Sequence, residues 1–220
     1  MAPLVALAIG LACLVVARLL FLALRGSGER WAGGPSAPLR TMVVLGSGGH
    51  TAEMLTMTAA LSRAGYAPRC YVVAATDNHS AEKALAAEKG SAGTAAGALE
   101  QVSIARIPRS REVGQSFTSS IFTTLVALVA AFSLVARQRP DLVLVNGPGT
   151  CIPICASAFL LRALWLSDCR VVYVESIART ASLSLSGRIL YHSRVADVVM
   201  VQWPALRKRY PRSRYAGRVF

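Results

Sequence analysis

Six short strand-like runs recur along this chain, most of them continuous apolar stretches too short for a helix. They are "MVVL" (Met42–Leu45), "YVVAA" (Tyr71–Ala75), Gln101–Ile107, "DLVLV" (Asp141–Val145), "RVVYV" (Arg170–Val174) and "VVMV" (Val198–Val201). Strands buried on both faces read this way, without polar alternation. Helix-like stretches fill the gaps at Thr51–Arg63, Ser80–Lys89, Phe117–Arg137 and Pro153–Leu166. In the first of these, Met54, Leu55, Thr58 and Leu61 fall on one face. The alternation predicts an α/β fold: a single doubly wound, mostly parallel, Rossmann-like sheet. Phe117–Arg137 is long enough for a membrane span, but its many Ser and Thr residues favour a crossover helix packed on the sheet.

The first segment stands apart. Pro3–Leu24 is apolar except for Arg18, and about 20 such residues cross a bilayer as one helix. Arg18 lies near one end, where its stem reaches the headgroups. No basic residue precedes the run and "LALRGSG" follows it, so an uncleaved anchor fits better than a signal peptide. Arg25, Arg30 and Arg40 come after the run, which places the remainder of the chain in the cytosol. The expected division is an anchor over 1–25, a Gly/Ser/Pro linker over 26–39 and one domain over 40–220.

The formal net charge is +13, and between Arg207 and Arg218 six basic residues occur without an acid. No zinc-finger, helix-turn-helix or RNA-binding signature accompanies them, so a membrane surface ranks ahead of nucleic acid as partner. The five cysteines form no C-x-x-C pair and read as reduced core thiols rather than a disulfide or metal framework.

Ligands of open parallel sheets bind beyond the carboxyl ends of the strands. Three polar loops fall there. "GSGGHTAE" places Gly46, Ser47, Gly48, Gly49 and His50 after the first strand, "NGPGT" places Asn146, Gly147, Gly149 and Thr150 after the fourth, and "ESIART" places Glu175 and Arg179 after the fifth. Glycines let the backbone turn tightly, and the amides of the following helix favour a phosphate. Thr51 stands where the dinucleotide fingerprint needs its last glycine, and no G-K-[ST] follows, so neither nucleotide motif is present. His50 is a candidate base or anion donor, or a hydrogen-bonded turn residue. Glu175 is a candidate for sugar hydroxyls or proton transfer, or a structural partner of Arg179.

Together, "VVLGSGGHTAEM", "IPRSREVGQSF", "PDLVLVNGPGTCIPIC", "VVYVESIART" and "VQWPAL" resemble one family over nearly the whole chain. It is the membrane-anchoring subunit of the UDP-N-acetylglucosamine transferase of the dolichol pathway, the asparagine-linked glycosylation fourteen homologs. That family in turn resembles the amino-terminal half of MurG, a two-domain GT-B glycosyltransferase. The resemblance implies a subunit that is inactive alone and a soluble catalytic glycosyltransferase subunit as its partner. It implies UDP-GlcNAc and dolichyl-diphosphate-GlcNAc as substrates, no resident cofactor or metal, and a single-pass place in the endoplasmic reticulum membrane with the domain on the cytosolic face. It implies that Gly46, Gly48, Gly49 and His50 form a first glycine loop, that Asn146, Gly147 and Gly149 form a second, and that Glu175 stands where MurG-like enzymes keep a Glu after a strand. With Ser47, Thr150 and Arg179 beside them, these loops are expected to bind substrate, and His50 and Glu175 are the expected catalytic residues. The MurG context "HEQN" is absent: Tyr173 and Val174 precede Glu175 and Ser176 follows it.

Two other classes compete. A self-sufficient, membrane-tethered, nucleotide-dependent reductase would use Asp77, close to the end of the second strand, for a ribose. A pure scaffold would bind nothing in its glycine loops. After Tyr210 the chain is too short for another strand–helix unit. Val198–Val201 with Trp203, Leu206 and Tyr210 is therefore expected to end the domain uncovered, as an edge for a partner.

Overall fold

The computed structural model describes residues 2–24, 37–92, 100–110, 117–147, 149–215 and 217–218. Most of the expected linker, and of the pattern-poor stretch Gly90–Gly97, lies outside these residues. The elements run α1 (Ala2–Leu24), β1 (Thr41–Val44), α2 (Gly49–Ala59), β2 (Arg69–Ala74), α3 (Asn78–Ala92), β3 (Val102–Ile107) and α4 (Phe117–Gln138). They continue as β4 (Leu142–Val145), α5 (Cys151–Ala163), β5 (Arg170–Val174), α6 (Leu185–Ser193), β6 (Val198–Val201), α7 (Pro204–Arg209) and β7 (Arg214–Tyr215).

All the strands pair in parallel, in the order β3-β2-β1-β4-β5-β6-β7. Successive side chains leave a strand on opposite faces, and the core divides accordingly. Met42, Val44, Val72, Val143, Val145 and Val171 face α4, α5 and α6 through Ala131, Val135, Ile154, Ala158 and Leu190. Val43, Leu45, Tyr71, Val73 and Leu144 face α2 and α3 through Met54, Met57, Ala81 and Ala84. This is the doubly wound sheet that the apolar runs predict.

The carboxyl end departs from expectation. β7 adds a seventh strand beside β6, pairing Met200 with Arg214 and Val201 with Tyr215. Pro204 opens α7 at its first turn, where the missing N–H costs nothing. α7 then seals Leu206 and Tyr210 into the core. A single short turn of helix and a brief extended pair suffice to cover β6, so that edge is not bare. The basic stretch is also partly structural: Arg209 donates to the Ala181 carbonyl at 2.9 Å, and Arg212 donates to the Tyr191 carbonyl at 2.6 Å.

α4 packs Ala127, Ala131, Leu134 and Val135 inward and leaves Phe122, Leu125, Val126 and Val129 exposed. α1 behaves differently. It is long and apolar enough to cross a membrane, and only 6% of Val5–Leu22 is buried inside the protein. A helix serving as core would be mostly buried. Its last turns meet the domain: Arg18 lies 5.3 Å from the ring of Trp165, and Arg194 donates to the Leu24 carbonyl at 3.4 Å.

Cys70, Cys151, Cys155 and Cys169 are buried free thiols. Burial pushes Cys155 well up and Cys169 up to about 12, so these are inert core residues.

One buried charge cluster ties α3 to β2. Glu88 is 2% exposed and pairs with Arg69, itself 4% exposed, at 3.0 Å. Glu88 also accepts from Arg63 and from the Tyr71 hydroxyl. Burial, and then that bond to Glu88, push the Tyr71 phenol up to about 12. Removing the carboxylate leaves a buried guanidinium without a counter-charge, which costs about 3–5 kcal/mol. Glu88→Ala is therefore expected to lower the urea midpoint sharply, whereas Glu82→Ala, a surface change on the same helix, leaves it nearly unchanged.

Candidate functional site

The site is built where strand order reverses. β1 pairs with β2 on one side and β4 on the other, in level register from Thr41↔Arg69 and Thr41↔Leu142. The loops after β1 and β4 therefore leave the sheet side by side, at the crevice such folds use for ligands.

The β1 loop is fastened from below. Thr51 donates its hydroxyl to the Gly46 carbonyl, and the Ser80 hydroxyl lies 3.2 Å from the same carbonyl. Thr51 thus sits inside α2 as a strut and does not cap it. The N-cap is Gly48, at φ 67°, with no side-chain cap bond. That left-handed backbone suits glycine. The first amides of α2 have no capping side chain and are oriented as an anion site would require. Ser47, Gly48 and Gly49 are exposed, whereas Gly46 is buried.

Asp77 is already engaged. It accepts from the Ser80 amide at 3.0 Å and the Ser80 hydroxyl at 2.8 Å, as the cap of α3. It is buried and does not point to a ribose, which removes the residue on which the reductase reading leaned.

His50 and Asn146 meet across the switch point, with His50 Nδ1 2.7 Å from Asn146 Oδ1. Gly147 underlies this contact. Its φ is 80°, and an added Cβ would lie 2.5 Å from His50 Nδ1 and 2.7 Å from Nε2. Only a glycine lets the imidazole lie against this backbone. Asn146 is 1% exposed, whereas the His50 side chain is 36% exposed, so the ring is the part of this pair that reaches the cleft. Gly149 is exposed and its carbonyl accepts from the Ile152 amide at 3.2 Å. Thr150 adjoins α5 as its N-cap without using its side chain.

The β5 loop joins this pair through Glu53, the last residue of "GSGGHTAE", to which the sequence alone assigns no role. Glu53 accepts from Asn146 Nδ2 at 2.7 Å, from the Ser176 hydroxyl at 2.8 Å and from the Ile177 amide at 3.3 Å. One carboxylate on α2 therefore holds the loops after β4 and β5. The available signal was its position three residues after His50, on the same helical face beside the glycine turn.

Glu175 lies elsewhere than expected. It is fully buried and its carboxylate accepts from the Ser184 amide at 2.8 Å, the Ser176 amide at 3.1 Å and the Tyr173 hydroxyl at 3.2 Å. Burial, and the adjacent Glu175 charge, push the Tyr173 phenol well up, so it stays a donor. Glu175 faces the start of α6 rather than the cleft and has no bond to Arg179. Arg179 itself is exposed on the same loop, at the turn closed by its amide on the Ser176 carbonyl at 3.0 Å. Behind the loop, Gln202 donates to the Glu175 carbonyl at 2.9 Å and Trp203 Nε1 donates to the Ile177 carbonyl at 2.7 Å. The "QW" of the sequence is a brace for the β5 loop.

Solved structures share this fold. MurG of Acinetobacter baumannii superposes with a TM-score of 0.55 at 21% identity, over 77% of this chain and 43% of that one. CalG4, the calicheamicin glycosyltransferase, gives 0.50 at 15% identity, over 82% of this chain and 53% of that one. The chain thus spans about half of each, and its fold is that of one half of a GT-B glycosyltransferase. The family described as "Oligosaccharide biosynthesis protein Alg14 like" matches residues 41–219. The human UDP-N-acetylglucosamine transferase subunit ALG14 is 50% identical over 186 residues, covering 84% of this chain and 85% of that one. The Yarrowia lipolytica subunit of the same name is 44% identical over 178 residues, covering 81% and 80%. The chain belongs to the Alg14-like family of oligosaccharide biosynthesis proteins.

A side chain at Gly147 tests the construction of the site. Gly147→Ala is expected to expel the His50 ring, and to cost roughly 1–3 kcal/mol from the strained backbone. The His50 resonances should shift while the far-ultraviolet spectrum stays that of the unchanged protein. An unmoved His50 would show that the ring does not rest on this glycine.

Proposed function

We propose that this chain is the membrane-held, acceptor-side subunit of a two-chain UDP-N-acetylglucosamine transferase. It adds the second GlcNAc to dolichyl-diphosphate-GlcNAc at the cytosolic face of the endoplasmic reticulum. The observation that carries this is the half-cleft: one doubly wound domain, with loops after β1, β4 and β5 at one edge and a relative named as a transferase subunit. A soluble catalytic subunit supplies the opposite wall and most of the UDP-GlcNAc contacts.

In this reading the amides at Gly48, Gly49 and His50 receive the acceptor diphosphate, with Ser47, Gly149, Thr150 and Arg179 around it. Gly46, Asn146 and Gly147 shape the loops beneath. His50 takes the proton from the acceptor hydroxyl as that oxygen bonds to the anomeric carbon of the donor sugar and UDP departs. Glu175 acts one layer below, as the residue that holds Ser176, Ser184 and so the β5 loop in place. α1 anchors the chain, and the exposed Arg207 and Lys208 add attraction to anionic lipid of about 1 kcal/mol each.

The purified chain is expected to transfer no sugar alone and to do so when the soluble partner is added. Gly48→Val, which brings a side chain to the strained, exposed turn, is expected to abolish transfer while partner binding persists. His50→Ala is expected to slow turnover by roughly 10²-fold. Robust transfer by this chain alone, or normal activity in both variants, overturns the reading.

Orientation has its own test. Protease added to sealed microsomes is expected to digest the domain that follows the anchor. Protection of that domain would place it in the lumen and remove the cytosolic assignment.

A further inference from the structure

We propose that Glu53 is a positioning residue that sets the tautomer of His50, and thereby the polarity of the nitrogen that His50 presents to the cleft. The functional meaning rests on the His50 reading above; the physical claim does not.

Hydrogen-bond polarity fixes where each proton lies. A carboxylate only accepts. Glu53 Oε2 lies 2.7 Å from one polar end of the Asn146 amide, so that end is the NH2. The other end, Asn146 Oδ1, then faces His50 Nδ1 at 2.7 Å. An amide oxygen also only accepts, so His50 carries its proton on Nδ1. In the neutral ring Nε2 is left with its lone pair. Among the described residues no partner for Nε2 is found, and the ring is partly open to the cleft. The tautomer is the one a base requires at Nε2.

Glu53 cannot readily turn from this task. Its other oxygen, Oε1, accepts from the Ser176 hydroxyl at 2.8 Å and the Ile177 amide at 3.3 Å. The Ile177 N–H has a fixed polarity. Asn146 is 1% exposed, so with Glu53 in place its amide meets the carboxylate rather than solvent. An amide at position 53 meets opposite demands. Its oxygen satisfies Ser176 and Ile177 best, which turns its NH2 toward Asn146. Asn146 must then flip, present its own NH2 to His50 Nδ1, and force the proton of the ring to Nε2. The cleft would face an N–H where it had faced a lone pair.

The swap can be undone. Combining Glu53→Gln with Asn146→Asp exchanges carboxylate and amide. The new amide at position 53 then donates to the new carboxylate at position 146, and that carboxylate accepts from His50 Nδ1–H. The oxygen of the new amide still serves Ser176 and Ile177.

The experiment uses the full chain, ¹⁵N-labelled at histidine and reconstituted with its soluble partner. The chain has three histidines, and the His50→Ala spectrum assigns the one that matters. Long-range ¹H–¹⁵N correlation reads which ring nitrogen carries the proton, and transfer assays on the same samples give kcat and the acceptor KM. Wild type is expected to show Nδ1–H, and E53Q to show Nε2–H with kcat lowered roughly 10²-fold and KM little changed. The double variant is expected to restore Nδ1–H and recover at least about 10-fold of the lost kcat. A merely structural Glu53 would give lower stability without tautomer inversion or rescue. An Nε2–H wild type, or a folded E53Q with the tautomer unchanged, overturns the proposal. If E53Q does not fold, the double variant decides alone: Nε2–H in it overturns the proposal and Nδ1–H supports it. Inversion and rescue of the tautomer with turnover unaffected would support the Glu53 assignment and refute the separate reading of His50 as base.

Discussion

The parallel pairing of β1 with β4 is the constraint from which the site follows. Strand order runs outward from β1 through β2 and β3 on one side, and from β4 through β7 on the other. Successive crossovers thus travel in opposite directions and, among the described residues, leave no helix across the gap between them. The level register of Thr41 with Leu142 carries both loops out at the same height. His50 and Asn146, 96 residues apart in sequence, therefore meet at hydrogen-bond distance. The chemistry of each loop is local, but their meeting is a property of the sheet.

The same constraint explains why the buried polar groups are so fully paired. Loops that converge over a dry sheet edge carry amides and side chains that water does not reach, and each must find a partner. Glu53 and Glu175 solve this in two layers. Glu53 joins the β4 and β5 loops near the surface, whereas Glu175 joins the β5 loop to the start of α6 beneath. Gln202 and Trp203 close the loop from the β6 side. The three loops are thus tied together by side chains of the fold itself, so the cost of ordering them is met in folding rather than in binding.

Most of the sheet was legible because its strands are buried on both faces, and short continuous β-branched runs between helices fit no other common element. β7 was not, since so short a strand carries no periodicity and its pairing depends on α7 turning the chain. α6 was missed because it is short, its apolar residues divide between buried Leu190 and Tyr191 and exposed Leu185 and Ile189, and its cap, Ser184, lies in a serine-rich stretch. The glycine loops were legible as turns, and His50 and Asn146 as polar groups at strand ends. Their contact was not, because only the strand order sets it. Glu175 misled for the opposite reason. A carboxylate ending an apolar strand marks a sheet edge, but sequence does not show which side of the edge it faces. The amides of Ser176 and Ser184 turn it inward. Glu53 ends the stretch "GSGGHTAE", but its role depends on the loops that the sheet brings to it, and those are not adjacent in sequence.

The apolar helix α1 bears on the cleft through its last turn. Arg18 stacks between Phe21 and Trp165, at 5.6 Å and 5.3 Å from their rings, and Arg194 reaches the carbonyl of Leu24. Arg194 follows α6 in a left-handed conformation, φ 58°, and α6 begins at Ser184, which shares the Glu175 carboxylate with the β5 loop. A continuous path of packed elements therefore joins the end of the apolar helix to the loop that borders the site. A flexible tether would set only how far the domain strays from a membrane. Contacts at the helix end also set which way it faces. The exposed apolar residues Trp165 and Leu166, next to Arg18, lie on the same side of the domain as that helix end. The end of the apolar helix is thus tied, through α6 and the Glu175 carboxylate, to the loop that borders the site.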